Sequence, residues 1–288
     1  MRNRSQGWKF AKKGGHKLEE KLKGKIKTDE TFSSALHKLI FGKGFSGETE
    51  VSGGGGRAKK VPSILGHLTS AKTDLSVKWE NGTAARISIK KSLGGQVWLI
   101  SLKHFLGALD GHYGLHPKKS VVECLGKFIG SPGFQDDIDF KKIKLRGPRH
   151  RDGNHLEIHQ GRLCAATIIE NFPGMWEETI SWFNENMDVV TELCFSRGMC
   201  KYTEDHADLL WYYDLDQEES HGVDQLFSIE RLLKKTKSLT NSCLAGDKNG
   251  GTTIQMPFGF LQMHSPGEIN ELQFHHNYFK VRKLSDIN

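Results

Sequence analysis

Asp74 and Lys90 are the residues whose types and spacing offer chemistry: a carboxylate and an amine on two short segments that read as neighbouring strands. Leu75, Val77 and Trp79 alternate with Asp74, Ser76 and Lys78, and Ala85, Ile87 and Ile89 alternate with Arg86, Ser88 and Lys90. A period of two marks a half-buried strand. Asn81-Gly82 lies between them and marks a tight turn, because both residues tolerate positive φ. If the two apolar rows share a face, odd residues must pair with odd. A three-residue loop, Asn81-Gly82-Thr83, meets that condition. It sets Asp74 opposite Lys90, Ser76 opposite Ser88 and Lys78 opposite Arg86. A two-residue loop would pair Asp74 with Ile89 and mix the faces. The polar face then carries Asp74, Ser88 and Lys90 together. A carboxylate and the backbone carbonyl of Ile89 can hold Mg²⁺, which polarises a phosphate and lowers the pKa of a bound water. Lys90 can orient or deprotonate that water and offset charge in the transition state. Spacing alone leaves a second possibility open, an ordinary hairpin with a surface Asp–Lys pair, and such pairs contribute little to stability.

Asp74 followed by Ser88-Ile89-Lys90 resembles the PD-(D/E)XK nuclease core in its serine-bearing form, as in many type II restriction endonucleases. The wider string KTD…ISIKKS…GGQV is similar to the phrasing of several such enzymes. The family also carries a glutamate on a helix before the core, often within G-x-x-x-E-x-x-L. Gly15, Glu19 and Leu22 match inside GHKLEEKL. The resemblance spans residues 15–100. It implies a restriction-endonuclease-like α/β (α+β) core, a mixed β-sheet flanked by helices, and Mg²⁺-dependent cleavage of double-stranded DNA. It also implies a catalytic set of Asp74, Ser88, Lys90 and Glu19, with Asp74, Glu19 and the Ile89 carbonyl as metal ligands. The chain departs from the pattern twice. Ser88 stands where the strand usually carries a second acid, and Ala71-Lys72-Thr73 precedes Asp74 where the motif has proline. Glu19 is the candidate replacement acid, with Glu20, Glu48 and Glu50 in reserve.

Composition agrees with a polyanionic partner. The 288 residues carry 41 Lys+Arg against 34 Asp+Glu, a formal charge of +7. That balance favours nucleic acid. No stretch approaches the roughly 20 apolar residues that span a bilayer, so no membrane role is expected. The N-terminal MRNRSQGWKFAKKGG lacks the apolar core of a secretory signal. Five cysteines without a CxxC pair suggest a reducing cytoplasmic setting and no structural zinc.

The rest of the chain supplies the scaffold. Residues 1–42 read as a basic helix: Lys12, Lys13, Lys17, Lys21, Lys23, Lys25 and Lys27 surround the apolar stripe of Leu18, Leu22 and Ile26. Residues 43–60 hold six glycines and read as a break before the hairpin, a lid, a DNA-contacting loop or a plain linker. Gln96–Leu102 reads as a strand or a helix start, and its Ser101-Leu102-Lys103 is a decoy of the S-x-K pattern, since no acid sits across a short turn from it. Lys141, Lys142, Lys144, Arg146, Arg149 and Arg151 form a basic run around Gly147-Pro148 and Asp152-Gly153. It reads as an exposed loop that neutralises phosphates. His150, His155 and His159 within it fit no HNH spacing and read as surface histidines. Downstream, a helix is expected over 175–195, a strand over 207–215, a helix over 228–237, and two strands around Ser265-Pro266-Gly267. His275-His276-Asn277 on the last strand can face base edges or phosphate.

These features divide the chain at 135/136 into a catalytic domain, residues 1–135, and a C-terminal α+β recognition lobe, residues 136–288. The function expected is a sequence-specific endonuclease for double-stranded DNA, of the type II restriction or phage homing type, with Mg²⁺ as cofactor. A homodimer would cut both strands of a palindrome. The alternatives are a non-catalytic basic DNA-binding protein and a structure-specific nuclease such as a junction resolvase.

Overall fold

The computed structural model describes residues 17–54, 59–90, 94–212, 226–239, 242–245, 250–264 and 270–284. Gly15, the first position of the helix match, lies outside the described residues, as do Lys12, Lys13, Gly55, Gly56 and the Ser265-Pro266-Gly267 turn. The chain forms two units, each drawn from separate stretches. The first takes its described residues from Met1–Leu93 and Phe195–Leu233, the second from Gly94–Cys194 and Lys234–Leu284. This differs from a single cut at 135/136.

The first unit opens with two helices, α1 over residues 17–28 and α2 over Glu30–Phe41. One basic helix was expected here. Asp29 ends it, because its side chain accepts from Phe32 N–H at 2.9 Å and caps α2. The helices pack on a mixed five-stranded sheet, in the order β1 (Thr49–Gly53), β4 (Leu75–Trp79), β5 (Ala84–Lys90), β7 (Leu209–Tyr212), β8 (Leu226–Ser228). A separate ribbon pairs β2 (Lys60–Pro62) with β3 (Leu68–Ser70). The expected stripe is present: Leu18, Leu22 and Ile26 are each 1% exposed and join Leu75, Val77, Trp79, Ala85 and Ile87 in one core. Burying each such side chain stabilises by about 1.5–3 kcal/mol. Trp79 Nε1–H donates to Ser33 Oγ at 3.1 Å, which satisfies its one polar atom inside that core.

The hairpin has the expected parity but not the expected register. Leu75 pairs with Ile87, Ser76 with Arg86 and Val77 with Ala85. Asp74 is therefore not opposite Lys90, and Ser76 is not opposite Ser88. The loop is Glu80-Asn81-Gly82, closed by Trp79 N–H to Thr83 O at 2.9 Å. Gly82, at φ 84°, takes the last loop position. Three-residue hairpins put their left-handed residue there, not in the middle, so the whole return strand slides by two.

β5 and β7 run parallel, with Ile87 beside Leu209 and Ile89 beside Trp211. A parallel pair needs a long crossover. Here the crossover contains Gly94–Cys194, most of the second unit, which is why neither unit is contiguous. The strand expected over 207–215 is Leu209–Tyr212, and residues beyond 212 lie outside the described ones. β1 also overturns part of the expected break, since Thr49–Gly53 pairs with β4 as an edge strand.

The second unit holds an antiparallel sheet in the order β6 (Gly94–Ile100), β12 (Glu271–Asn277), β11 (Gly259–His264), β10 (Ile254–Met256), β9 (Leu244–Ala245). The tail thus has a strand more than expected, and ends in a helix over Tyr278–Leu284. Ser101 caps the helix α3 (Leu102–Tyr113), accepting from His104 N–H at 3.3 Å. The S-x-K decoy is a helix start. The helix expected over 175–195 is three pieces, Met175–Glu185, Met187–Glu192 and a π turn over Leu193–Arg197. Among the described residues no helix is long and apolar enough to cross a membrane.

Candidate functional site

Asp74 stands where β4 begins, and its carboxylate takes over where that strand's backbone stops. Pairing with β5 ends at Leu75–Ile87. The next outward-facing backbone N–H on that side, Ile89, is instead bound by Asp74 Oδ2 at 2.6 Å. Ser88 Oγ–H donates to the same oxygen at 3.2 Å. Ser88 is 1% exposed, so its hydroxyl is committed to this contact and not to solvent. Within a strand the N–H and C=O of one residue face the same neighbour. Ile89 therefore turns its carbonyl toward the side on which Asp74 sits. Lys90 is half-buried and follows Ser88 by two, so it shares the face of Asp74 and Ser88. The two-residue slip in register replaces an Asp74–Lys90 pair by an Asp74–Ser88 pair, with Lys90 next along the same row.

Glu19 approaches the same end of the sheet. A Cβ added to Gly54 would lie 3.3 Å from Glu19 O, and Gly54 N–H donates to Asp74 O at 2.9 Å. One glycine thus bridges the α1 backbone at Glu19 and the Asp74 backbone. Gly53, at φ 86°, makes a tighter approach, since a Cβ there would be 2.4 Å from Asp74 O. The glycine run is what lets the chain pass this close, a role that the sequence signalled only as a loop. Two of the reserve acids, Glu48 and Glu50, sit elsewhere. Glu50 pairs with Lys78 and Glu48 O accepts from Glu80 N–H, both at the turn end of the hairpin. Four residues of strand separate Lys78 from Asp74, about 13 Å. Glu20 is exposed on α1.

Two contacts fix the segment before Asp74, where the motif has proline. Lys72 N–H donates to Asp205 O at 3.1 Å, and Thr73 Oγ1–H donates to His206 O at 2.7 Å. Arg86 forks onto Asp208 at the start of β7, with contacts of 2.6 and 2.8 Å. The hydrogen bond to Asp208 raises the Arg86 pKa against its partial burial. This fork pins β5 to β7, and nothing in the local sequence joined the two residues. A cleft of about 560 Å³ lies beside it, lined by Ala84, Asp208, Ile229 and Arg231, and includes neither Asp74 nor Lys90.

The donors near Asp74 are hard oxygens, its carboxylate and the Ile89 carbonyl, and the α1 backbone at Glu19 passes the same end of the sheet. Mg²⁺ takes oxygen ligands, with one or two carboxylates and several waters, so this set fits it.

The basic run is partly neutralised from within the second unit. Lys144 Nζ lies 2.6 Å from Glu170 and Arg146 Nη2 lies 3.0 Å from the same carboxylate. Lys142 lies 3.0 Å from Asp139. The bond from Lys144, then that from Arg146, hold the Glu170 carboxyl below its ordinary range. Arg149 Nη1–H donates to Gly153 O at 2.7 Å within its own turn. Arg151 and Lys141 are exposed. On β12, His276 is buried, and the half-buried His275 stacks on Phe260 with ring centroids 4.5 Å apart.

No protein-family model matches the chain, and no curated protein does. Among solved structures the chain is similar to restriction endonuclease MspI in complex with its cognate DNA. That likeness has 14% identity over 89% of this chain and 83% of the other, with a TM-score of 0.46.

Proposed function

We propose that the protein is a Mg²⁺-dependent endonuclease that hydrolyses phosphodiester bonds in double-stranded DNA at specific sequences, in the manner of type II restriction or phage homing enzymes. The observation that carries this is Asp74 held by Ile89 N–H and Ser88 at the end of the sheet to which Glu19 and Lys90 also come. A PD-(D/E)XK active site asks for that combination of acid, strand backbone and lysine.

Each residue then has a distinct task. Oδ2 of Asp74 is anchored by Ile89 and Ser88, which leaves Oδ1 to meet the ion together with the Ile89 carbonyl and Glu19. Mg²⁺ bound there supplies Lewis-acid polarisation of the phosphate and a water of lowered pKa. Lys90 orients or deprotonates that water and offsets charge on the phosphate. Ser88 positions the Asp74 carboxylate. Lys141, Lys142, Lys144, Arg146, Arg149 and Arg151 contribute phosphate contacts and thereby salt-dependent affinity. The β5–β7 crossover that carries the second unit makes that unit the candidate reader of sequence. A symmetric dimer would cut both strands of a palindrome.

The test is incubation of the full chain with plasmid and genomic DNA in MgCl₂. Discrete fragments that vanish with EDTA are expected. Intact DNA that is nonetheless bound would make the protein a non-catalytic binder, and cutting restricted to branched substrates would make it a structure-specific nuclease.

A further inference from the structure

His150, Asp152 and His159 converge on the surface of the second unit, in a turn for which the proposed cleavage chemistry has no use. Asp152 Oδ1 lies 3.3 Å from His150 Nδ1, and its Oδ2 lies 2.8 Å from His159 Nε2. The two imidazole centroids are 4.5 Å apart. One ligand atom from each residue can be chosen so that all lie within 4.8 Å of one another. Three ligands bound at about 2.1 Å to a tetrahedral ion stand about 3.4 Å from each other. The two His–Asp distances end on different carboxylate oxygens, and with one oxygen chosen all three ligand atoms lie within 4.8 Å, so closure on an ion asks for a shift of about an ångström by exposed side chains.

We infer that His150, Asp152 and His159 form a binding site for a divalent transition metal, with Zn²⁺ the best match. Two imidazoles and one carboxylate are the donors Zn²⁺ takes with three protein ligands, the fourth position going to water. Imidazole also turns the site away from Mg²⁺, which prefers an all-oxygen shell, so it is chemically distinct from the donors around Asp74. The backbone holds the ligands without help from the ion. His150 N–H donates to Asn154 O at 2.7 Å and Gly153 N–H to His150 O at 3.0 Å. Asn154 N–H steadies Asp152 Oδ1 at 3.0 Å. His159 arrives on the short helix Leu156–Gln160, whose first N–H bonds Pro148 O at 2.7 Å. The three loop histidines are therefore not equivalent: His155 turns Nδ1 to Gly147 O at 2.9 Å and stands apart. Thiols offer no competing site, because all five cysteines are buried. A bound ion would tie the turn that carries Arg149 and Arg151 to the helix beneath it.

The experiment is calorimetric titration of the metal-free full chain with ZnCl₂ near neutral pH, alongside His150→Gln/His159→Gln, Asp152→Asn and Asp74→Asn. The wild type should bind one Zn²⁺ per chain with micromolar or better affinity. The double variant should lose at least about 100-fold in affinity while its circular dichroism is unchanged. Asp152→Asn serves as the second variant should the double one misfold, and should weaken binding likewise. Asp74→Asn should bind Zn²⁺ as the wild type does, which separates this site from the proposed nuclease centre. The inference is overturned if the wild type binds no stoichiometric Zn²⁺. It is equally overturned if the histidine and Asp152 variants bind unchanged, or if Asp74→Asn is the substitution that abolishes binding.

Discussion

Asp74 uses its two oxygens differently, and the division can be tested at the level of single atoms. Oδ2 satisfies the buried Ile89 N–H, while the proposed function gives Oδ1 to the ion. Asp74→Asn keeps an acceptor for Ile89 but removes the charge. On the proposed chemistry, plasmid cleavage should fall by about 1,000-fold or more, the loss of several kcal/mol of metal-dependent stabilisation. DNA affinity, read by fluorescence anisotropy with Ca²⁺ in place of Mg²⁺, should stay within a few fold. Cleavage at the wild-type rate would remove Asp74 from the centre. Glu19 and Ser88 can be ranked in the same assay. Glu19→Gln should cost about 100-fold or more in rate, as the loss of a charged ligand. Ser88→Ala deletes one hydrogen bond to the carboxylate, and should cost about 1 kcal/mol of stability with a much smaller loss of rate. The opposite order in a Mg²⁺ titration rejects the division of roles. Residue types alone suggested this set, but not its contacts. Nothing in the spacing says that an aspartate ahead of β4 replaces a main-chain acceptor for β5.

At the scale of elements, short turns and close approaches govern the site. A change of Gly82's place in the loop slides β5 by two residues, which moves every polar partner while leaving every face intact. Parity was readable because it follows from burial, whereas register depends on turn geometry. Gly53 offers a sharper test. Gly53→Ala forces a Cβ against Asp74 O at positive φ and should destabilise by about 1–3 kcal/mol. Chemical denaturation should show that loss, and cleavage should fall with it because Asp74 itself is displaced. Unchanged stability would mean that β1 passes Asp74 less closely. In the second sheet, Gln262 Nε2–H donates to His275 Nε2 at 2.8 Å, which requires that nitrogen to be unprotonated. Burial, and then His264, push the His275 pKa down. The unfolded chain therefore binds more protons on this residue, so stability rises with pH and is lost as pH drops below the ordinary histidine range of about 6.5. His275→Gln should flatten the acid-side fall in Tm, and an unchanged slope would assign that fall to other groups.

Across the whole molecule, the question is how much of the +7 charge is free to meet a polyanion. Lys144 and Arg146 share Glu170, and Lys142 has Asp139, so part of the basic run is already compensated. If the run meets DNA as proposed, Arg149→Gln/Arg151→Gln should make the slope of log K against log salt shallower by about two units. Lys144→Gln/Arg146→Gln should change the slope less, because these two cations are already paired with Glu170 and make fewer phosphate contacts. Target and non-target DNA should weaken by similar factors in both variants. Loss of preference for one base with non-specific affinity intact would make the loop a reader of sequence instead.

The sequence by itself determined what is local. Alternation identified β4 and β5, their shared apolar face and the polar row of Asp74, Ser88 and Lys90, and the Leu18, Leu22 and Ile26 stripe identified α1, while Glu19 was named only by the resemblance to the nuclease family. The strands and the stripe follow from periodicities of two and 3.6, which short segments express without help from the rest of the chain. Tertiary structure decided what depends on distant segments meeting. It brought β7 beside β5 across a crossover more than a hundred residues long, and so made both units discontinuous. It also brought the α1 backbone at Glu19 to the Asp74 end of the sheet through close-passing glycines, and set Glu48 and Glu50 at the turn end of the hairpin. Pairing across such separations is set by the packing of the finished core, and no window of sequence contains both partners.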